Sequence, residues 1–271
     1  MYERAHSPDA IRCTRNPTTH SPTTWTRLPW GVRVARAALP LLASWTSWTG
    51  CEWIKIADWL DFHMIQGGHC LRYDVRAELV DTTYDTDPAK PFLDGEPIYE
   101  EHPYCWEPEQ GFSTAQDVRR DAYWSVLGGA AGHTYGHHSV WQFNDGGDGE
   151  LGARGNWVEA LEFPGAGQMR HLRELMESLP FTRGQPNPSV LGSAAGSGAE
   201  RIVANTASDG SYLLVYTPAG QGFSVDTSVV SGDPTAYWFD PRSGAFDEVD
   251  VTEDYTPPTD EDWLLLVEDA S

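Results

Sequence analysis

The sequence predicts an α/β unit on a parallel sheet, followed by a small all-β antiparallel sandwich. Three observations carry that expectation. From Asp61 to Asp94 a strand, a helix and a second strand fit into about 35 residues, the size of a βα unit feeding a parallel sheet. Residues 200–271 hold six short β-type runs in about 70 residues, the spacing of an antiparallel sandwich. Between the two lies a stretch rich in Gly, Pro, Ser and Ala, so residues 185–199 read as a linker.

The elements follow in order. Asp61-Phe-His-Met-Ile-Gln66 alternates and stops at Gly67-Gly68, a strand with a tight exit. Leu71, Val75, Leu79 and Val80 recur at helical spacing, and Asp87-Pro88 ends that helix. Pro91–Asp94 is a short strand leading into Gly95-Glu96-Pro97, and Ile98–Phe112 is a polar, aromatic loop. Ser113 with Gln116 has the form of a capping box, opening a helix through Val118, Ala122, Val126 and Gly129. Thr134–Phe143 is expected as a third strand. Met169, Leu172, Leu175, Met176 and Leu179 mark an amphipathic helix that Pro180 stops. The later strands are expected at Arg201–Asn205, Ser211–Tyr216, Phe223–Asp226, Thr235–Phe239, Ala245–Val251 and Trp263–Glu268. Their turns have suitable chemistry, as in Ser208-Asp-Gly210 and Asp240-Pro-Arg-Ser-Gly244.

Charge narrows the range of partners. The 271 residues carry a net charge of −22, with 40 acids against 18 Lys and Arg. Such a field disfavours nucleic acid and anionic membranes. Lys55 and Lys90 are the only lysines, and an acidic, lysine-poor chain fits a high-salt cytoplasm, a halophilic source. Residues 1–51 stand apart: six Arg and two acids fall in the first 50 positions, with no sustained period. They are expected to be disordered or foreign to the fold. The apolar run Ala37–Ala43 mimics a secretion signal but is short and far from Met1. The four cysteines have no C-x-x-C spacing and are expected as buried free thiols. No cofactor is implied. No metal is expected either, because no H-x-x-x-H lies on a helix with a third ligand, and His137 and His138 would face opposite ways in a strand. The sequence assigns no oligomeric state and no compartment.

The chemistry centres on Glu96, placed where a buried parallel strand ends. In βα folds ligands gather at that rim. Gln66-Gly-Gly-His69 and His133-Thr-Tyr-Gly-His-His138 would bring further polar groups there. Glu96 is therefore the candidate catalytic residue. Asp61, His69, Tyr99, His133 and Tyr135 are the candidate substrate-binding residues. A carboxylate in such company can serve as nucleophile or acid/base in glycoside hydrolysis. The plainer alternative is an acid that caps a helix or pairs with an arginine. The 12 tryptophans suit sugar surfaces, although each can equally fill core.

Four motifs in order carry a family resemblance: Trp59–His69, Lys90–Glu100, Arg119-Arg-Asp-Ala-Tyr-Trp124 and Gly129-Ala-Ala-Gly-His-Thr-Tyr-Gly136. They resemble the apiosidase-like glycoside hydrolases, glycoside hydrolase family 140. Tyr212–Tyr216 and Tyr237-Trp-Phe-Asp-Pro-Arg-Ser-Gly244 resemble the β-sandwich that follows in that family, which is named for collagen binding. The resemblance covers residues 52–268. It implies the last three βα units of a (β/α)₈ TIM-type barrel over residues 52–184, then the sandwich over 200–271. It also implies retaining hydrolysis of polysaccharide side chains, with Glu96 as nucleophile. Upstream of Glu52 the resemblance stops, and the partner acid, an Asp from an earlier strand, has no counterpart. A complete barrel takes about 250 residues. The expectation is thus an incomplete barrel with impaired or no activity. The alternative is a non-catalytic polymer-binding sandwich that presents Tyr237 and Trp238.

Overall fold

The computed structural model describes residues 59–147, 149–192 and 195–270. The basic segment 1–51 lies outside the described residues. The first layer is a three-stranded parallel sheet in the order β1-β2-β3. Its strands are β1 (His63–Ile65), β2 (Phe92–Asp94) and β3 (Gly132–His133). His63 pairs with Phe92, Ile65 with Asp94, and Asp94 with His133. Helix α1 (Asp74–Tyr84) crosses from β1 to β2, and α2 (Ala115–Leu127) from β2 to β3. Ile65, Leu79, Val80, Phe92 and Ala130 form the small core beneath the sheet.

Two local expectations shift. The capping box of α2 is Thr114 with Asp117, one residue beyond Ser113 and Gln116. The Asp117 carboxylate also accepts from the Tyr104 hydroxyl, which favours that register. The third strand is only Gly132–His133, not Thr134–Phe143. His138 N–H bonds to the Glu100 carbonyl at 2.9 Å, which draws the chain off the sheet. The one-turn helix α3 (His138–Trp141) then begins with His137 as its cap. Further on come α4 (Trp157–Ala160) and the amphipathic α5 (Pro164–Ser178).

A buried charge network ties α1 and α2 to β2. Arg76 pairs with Asp94 and, at 3.3 Å, with Asp121. Ser125 donates to Asp94 at 2.8 Å. Burial pushes the Asp94 pKa up, but Arg76, His133 and Ser125 together outweigh it and hold the carboxyl well below its usual range. Gly67 makes the network possible, since a Cβ there would sit 1.6 Å from an Arg76 nitrogen.

The second region is a six-stranded sheet in the order β4-β5-β6-β11-β8-β9. Its strands are β4 (Gly184–Pro186), β5 (Val203–Ala207), β6 (Tyr212–Thr217), β8 (Pro234–Phe239), β9 (Phe246–Val249) and β11 (Trp263–Asp269). The pair β7 (Phe223–Ser224) and β10 (Asp254–Tyr255) forms a small separate ribbon. Successive side chains on a strand face opposite ways. Tyr212, Leu214, Tyr216, Phe239, Leu264 and Leu266 thus pack against Tyr123, Trp124, Leu127, Leu172 and Leu175 of α2 and α5. Leu213, Val215, Trp238, Leu265 and Val267 pack against Phe223, Val225 and Tyr255 on the other side.

Three corrections follow. The sandwich is not free-standing, because helices of the first region cover one face of its main sheet. Residues 185–199 are not a plain linker: β4 pairs with β5, and Leu191 bridges to Val225. Trp238 is buried and Tyr237 packs on Phe246, so the two do not form an exposed aromatic face. Polar locks join the regions. Arg119 grips Asp262 through two bonds of 2.9 and 2.6 Å, and Tyr216 also donates to Asp262. Tyr123 stacks on Tyr216 at 4.6 Å, and Asn205 donates to the Leu127 carbonyl.

Candidate active site

Parallel strands end on one side of their sheet, so β1 and β2 deliver Gln66–His69 and Gly95–Glu96 to the same rim. The backbone fixes their level: Gly95 N–H bonds to Ile65 at 3.0 Å, and Gly68 N–H to the Glu96 carbonyl at 2.8 Å. Gly95 is needed there because a Cβ would meet the Met64 sulfur at 2.6 Å. Glu96 Oε1 lies 4.0 Å from His69 Nε2. Burial raises the Glu96 pKa, and a hydrogen bond with Gln66 opposes the rise. The field of Glu96 in turn helps raise the Tyr99 hydroxyl, after burial. A partly desolvated carboxylate of this kind is a better base and nucleophile than one in water.

Behind His69 stands an aromatic stack. The His69 ring lies parallel to His102 with centroids 3.5 Å apart, and Tyr99 meets His69 edge-on at 4.8 Å. Trp106 stands edge-on to both histidines, at 5.0 and 4.3 Å, and His138 lies 4.2 Å from His102. His69 is only 4% exposed. Burial, then His102 and His138, lower its pKa to about 3. Burial also lowers His102 to about 4, against a bond to the Pro103 carbonyl. The cluster is therefore neutral at neutral pH. Trp141 donates to His138 Nδ1 at 3.0 Å, so His138 carries its proton on Nε2 and gives it to the Leu151 carbonyl.

The loop that builds this stack departs from easy backbone geometry. Glu101, Cys105 and Trp106 all have left-handed φ values, of 59°, 53° and 68°. Such residues cost about 1–3 kcal/mol each and persist where the surroundings over-determine them. Here the Cys70–Cys105 disulfide does so, correcting the expectation of free thiols at these two positions; Cys13 and Cys51 lie outside the described residues. Cys105 N–H also bonds to the His69 carbonyl at 2.9 Å. The crosslink joins the loop after β1 to the loop after β2, one residue from His69 and one from Trp106.

The candidate residues divide. Glu96, His69 and Tyr99 meet at the rim. Asp61 is exposed and precedes β1, at the amino end of the strand and so opposite the rim. His133 lies 3.5 Å from Asp94, facing the helices. Tyr135 gives its hydroxyl to Glu100 at 2.6 Å, and Glu100 accepts the Gly165 N–H in the first turn of α5. His133 and Tyr135 line a different cavity, of about 770 Å³, with Met169, Arg173 and Phe181. Sequence reasoning missed Gln66, His102, Trp106, His138 and Trp141 as site residues. The aromatic density of Ile98–Phe112 was the signal for His102 and Trp106. Among the described residues, no group of His, Cys, Asp and Glu is placed to hold a metal ion. No helix among them is long and apolar enough to cross a membrane.

Known proteins bear on this geometry. Residues 185–268 match the family described as "Putative collagen-binding domain of a collagenase". A solved structure titled "Glycoside hydrolase" is 34% identical, with a TM-score of 0.75 over 80% of this chain and 54% of its own. A glycoside hydrolase family 5 structure from Bacteroides vulgatus ATCC 8482 is 33% identical, with a TM-score of 0.74 over 80% of this chain and 52% of its own. The chain therefore spans about half the length of these structures. No curated protein matches it significantly. The fold is a glycoside hydrolase-like α/β fold with an antiparallel sheet region. Residues 13–183 match the family described as "Apiosidase-like, catalytic domain", a match that begins upstream of Glu52, and the chain belongs to that family.

Proposed function

We propose that the protein is a retaining glycoside hydrolase acting on polysaccharide side chains, with Glu96 as nucleophile. The carrying observation is the placement of Glu96: a partly buried carboxylate at the carboxyl end of β2, held by Gln66 and faced by neutral His69. In this reading Glu96 attacks the anomeric carbon as the glycosidic bond breaks, and water then releases the glycosyl-enzyme. His69 and Tyr99 orient the carboxylate. Neutral His69 leaves the negative charge of Glu96 uncancelled, as a nucleophile requires.

Retaining hydrolysis takes a second carboxyl about 5–5.5 Å away. Among the described residues, Gln66, His69 and Tyr99 interact with Glu96. Covalent trapping tests the proposal without demanding fast turnover. A 2-deoxy-2-fluoro glycoside with a good leaving group needs little acid assistance. It should leave a mass adduct on the peptide bearing Glu96, and Glu96→Gln should abolish it. An adduct on another residue, or aryl-glycoside hydrolysis that survives Glu96→Gln, overturns the assignment. The rival reading, a polymer-binding sandwich, is disfavoured because Trp238 is core.

A further inference from the structure

We infer that Trp106 and Trp141 form an aromatic subsite for an uncharged sugar ring beside Glu96. The inference rests on reading Glu96 as the reacting carboxyl. Trp106 is 40% exposed and Trp141 is 48% exposed, yet both are anchored. Trp106 is held edge-on against His69 and His102 and sits 6.2 Å from His138. Trp141 is 6.1 Å from His138 and is oriented by its bond to Nδ1. One imidazole, that of His69, separates Trp106 from Glu96. The backbone of Cys105 and Trp106 is left-handed and crosslinked, so an exposed indole is presented rigidly at considerable conformational cost. A core needs no such arrangement, whereas the apolar face of a sugar ring packs on an exposed, pre-positioned indole.

Charge limits what that ring can be. The histidines beneath the indoles are neutral, their pKa values lowered by burial. The loop that carries Trp106 also bears Glu107 and Glu109, both exposed. The nearby cations are engaged: Arg154 pairs with Glu101 and lies over Phe112, and Arg72 lies over Tyr73 and Tyr104. A uronate on this platform would meet carboxylates with no described cation left to offset them.

The test uses binding. The full chain carrying Glu96→Gln is titrated with xylotetraose, arabinotetraose, galactotetraose and tetragalacturonate, followed by tryptophan fluorescence and calorimetry. At least one neutral tetrasaccharide should bind saturably. Trp141→Ala and Trp106→Ala should each weaken it at least tenfold, and Trp106→Phe should restore part of the loss. If Trp106→Ala does not fold beside Cys105, Trp141→Ala and Trp106→Phe decide the matter. Absence of binding by all three neutral probes, unchanged affinity in the tryptophan variants, or tighter binding of tetragalacturonate overturns the inference. Tryptophan-dependent binding without covalent labelling of Glu96 would sink the hydrolytic reading alone. Labelling with tryptophan-independent binding would sink the subsite alone.

Discussion

The two sheets of this molecule divide the work. The parallel sheet has strands of two or three residues and a core of five buried residues beneath it. The antiparallel sheet contributes to two cores of fourteen buried residues each, and β6 and β11 are buried on both faces. The thin sheet carries Glu96, the proposed nucleophile, with three left-handed loop residues and a set of buried imidazoles. The thick sheet carries regular strands. Stability concentrated in one region lets another hold groups that are unfavourable to place, since strained and desolvated residues persist only on a rigid support.

Breaking the junction between the regions should have the largest effect. Asp262→Ala leaves Arg119 buried without its carboxylate and should cost about 3–5 kcal/mol in urea unfolding. A loss below about 1 kcal/mol would mean the antiparallel sheet stands without its helical cover. The same contrast predicts that residues 185–271 expressed alone aggregate, because Tyr212, Leu214, Tyr216, Leu264 and Leu266 lose that cover.

Next comes the crosslink. Cys70→Ser should cost about 2–4 kcal/mol for a loop of 35 residues. Its effect should be concentrated at the rim, so hydrogen exchange should rise in residues 98–112 and stay unchanged in β6 and β11.

The pH response sharpens the comparison further. His69 and His102 have folded pKa values of about 3 and about 4, below the ordinary 6.5. Between those values and 6.5 the unfolded chain binds more protons, so stability is full above pH 6.5 and falls as pH falls. Acidification from pH 6.5 to 5 should remove on the order of 1–2 kcal/mol for each of these histidines. His69→Phe should flatten that slope. An unchanged slope would show that the stack is not what titrates.

The smallest stability effect belongs to the most consequential residue. Burial penalises ionised Glu96, so Glu96→Gln removes a mild liability. Its unfolding free energy should stay within about 0.5 kcal/mol of the parent or rise slightly, while covalent labelling disappears. A large destabilisation would make Glu96 a structural group.

Much of the fold was legible. The β8 and β11 strands fall within one residue of expectation because alternation and turn residues are local signals. The α5 helix likewise follows from Met169, Leu172, Leu175 and Met176. Half of the candidate cluster was legible too: Glu96, His69 and Tyr99 lie together after the ends of two neighbouring parallel strands. His133 was misplaced by strand parity, since a residue paired with Asp94 shares its helix-facing side. Tyr135 was misplaced because its partner, Glu100, lies in another loop.

Side-chain period and turn chemistry along the chain were enough to decide where strands and helices form, because both are set by neighbours a few residues away. Tertiary structure alone decided that Cys70 reaches Cys105, that His102 lies on His69, and that helices α2 and α5 cover the antiparallel sheet. Those contacts join segments tens of residues apart. Their energies depend on proximity and burial, which no local pattern encodes.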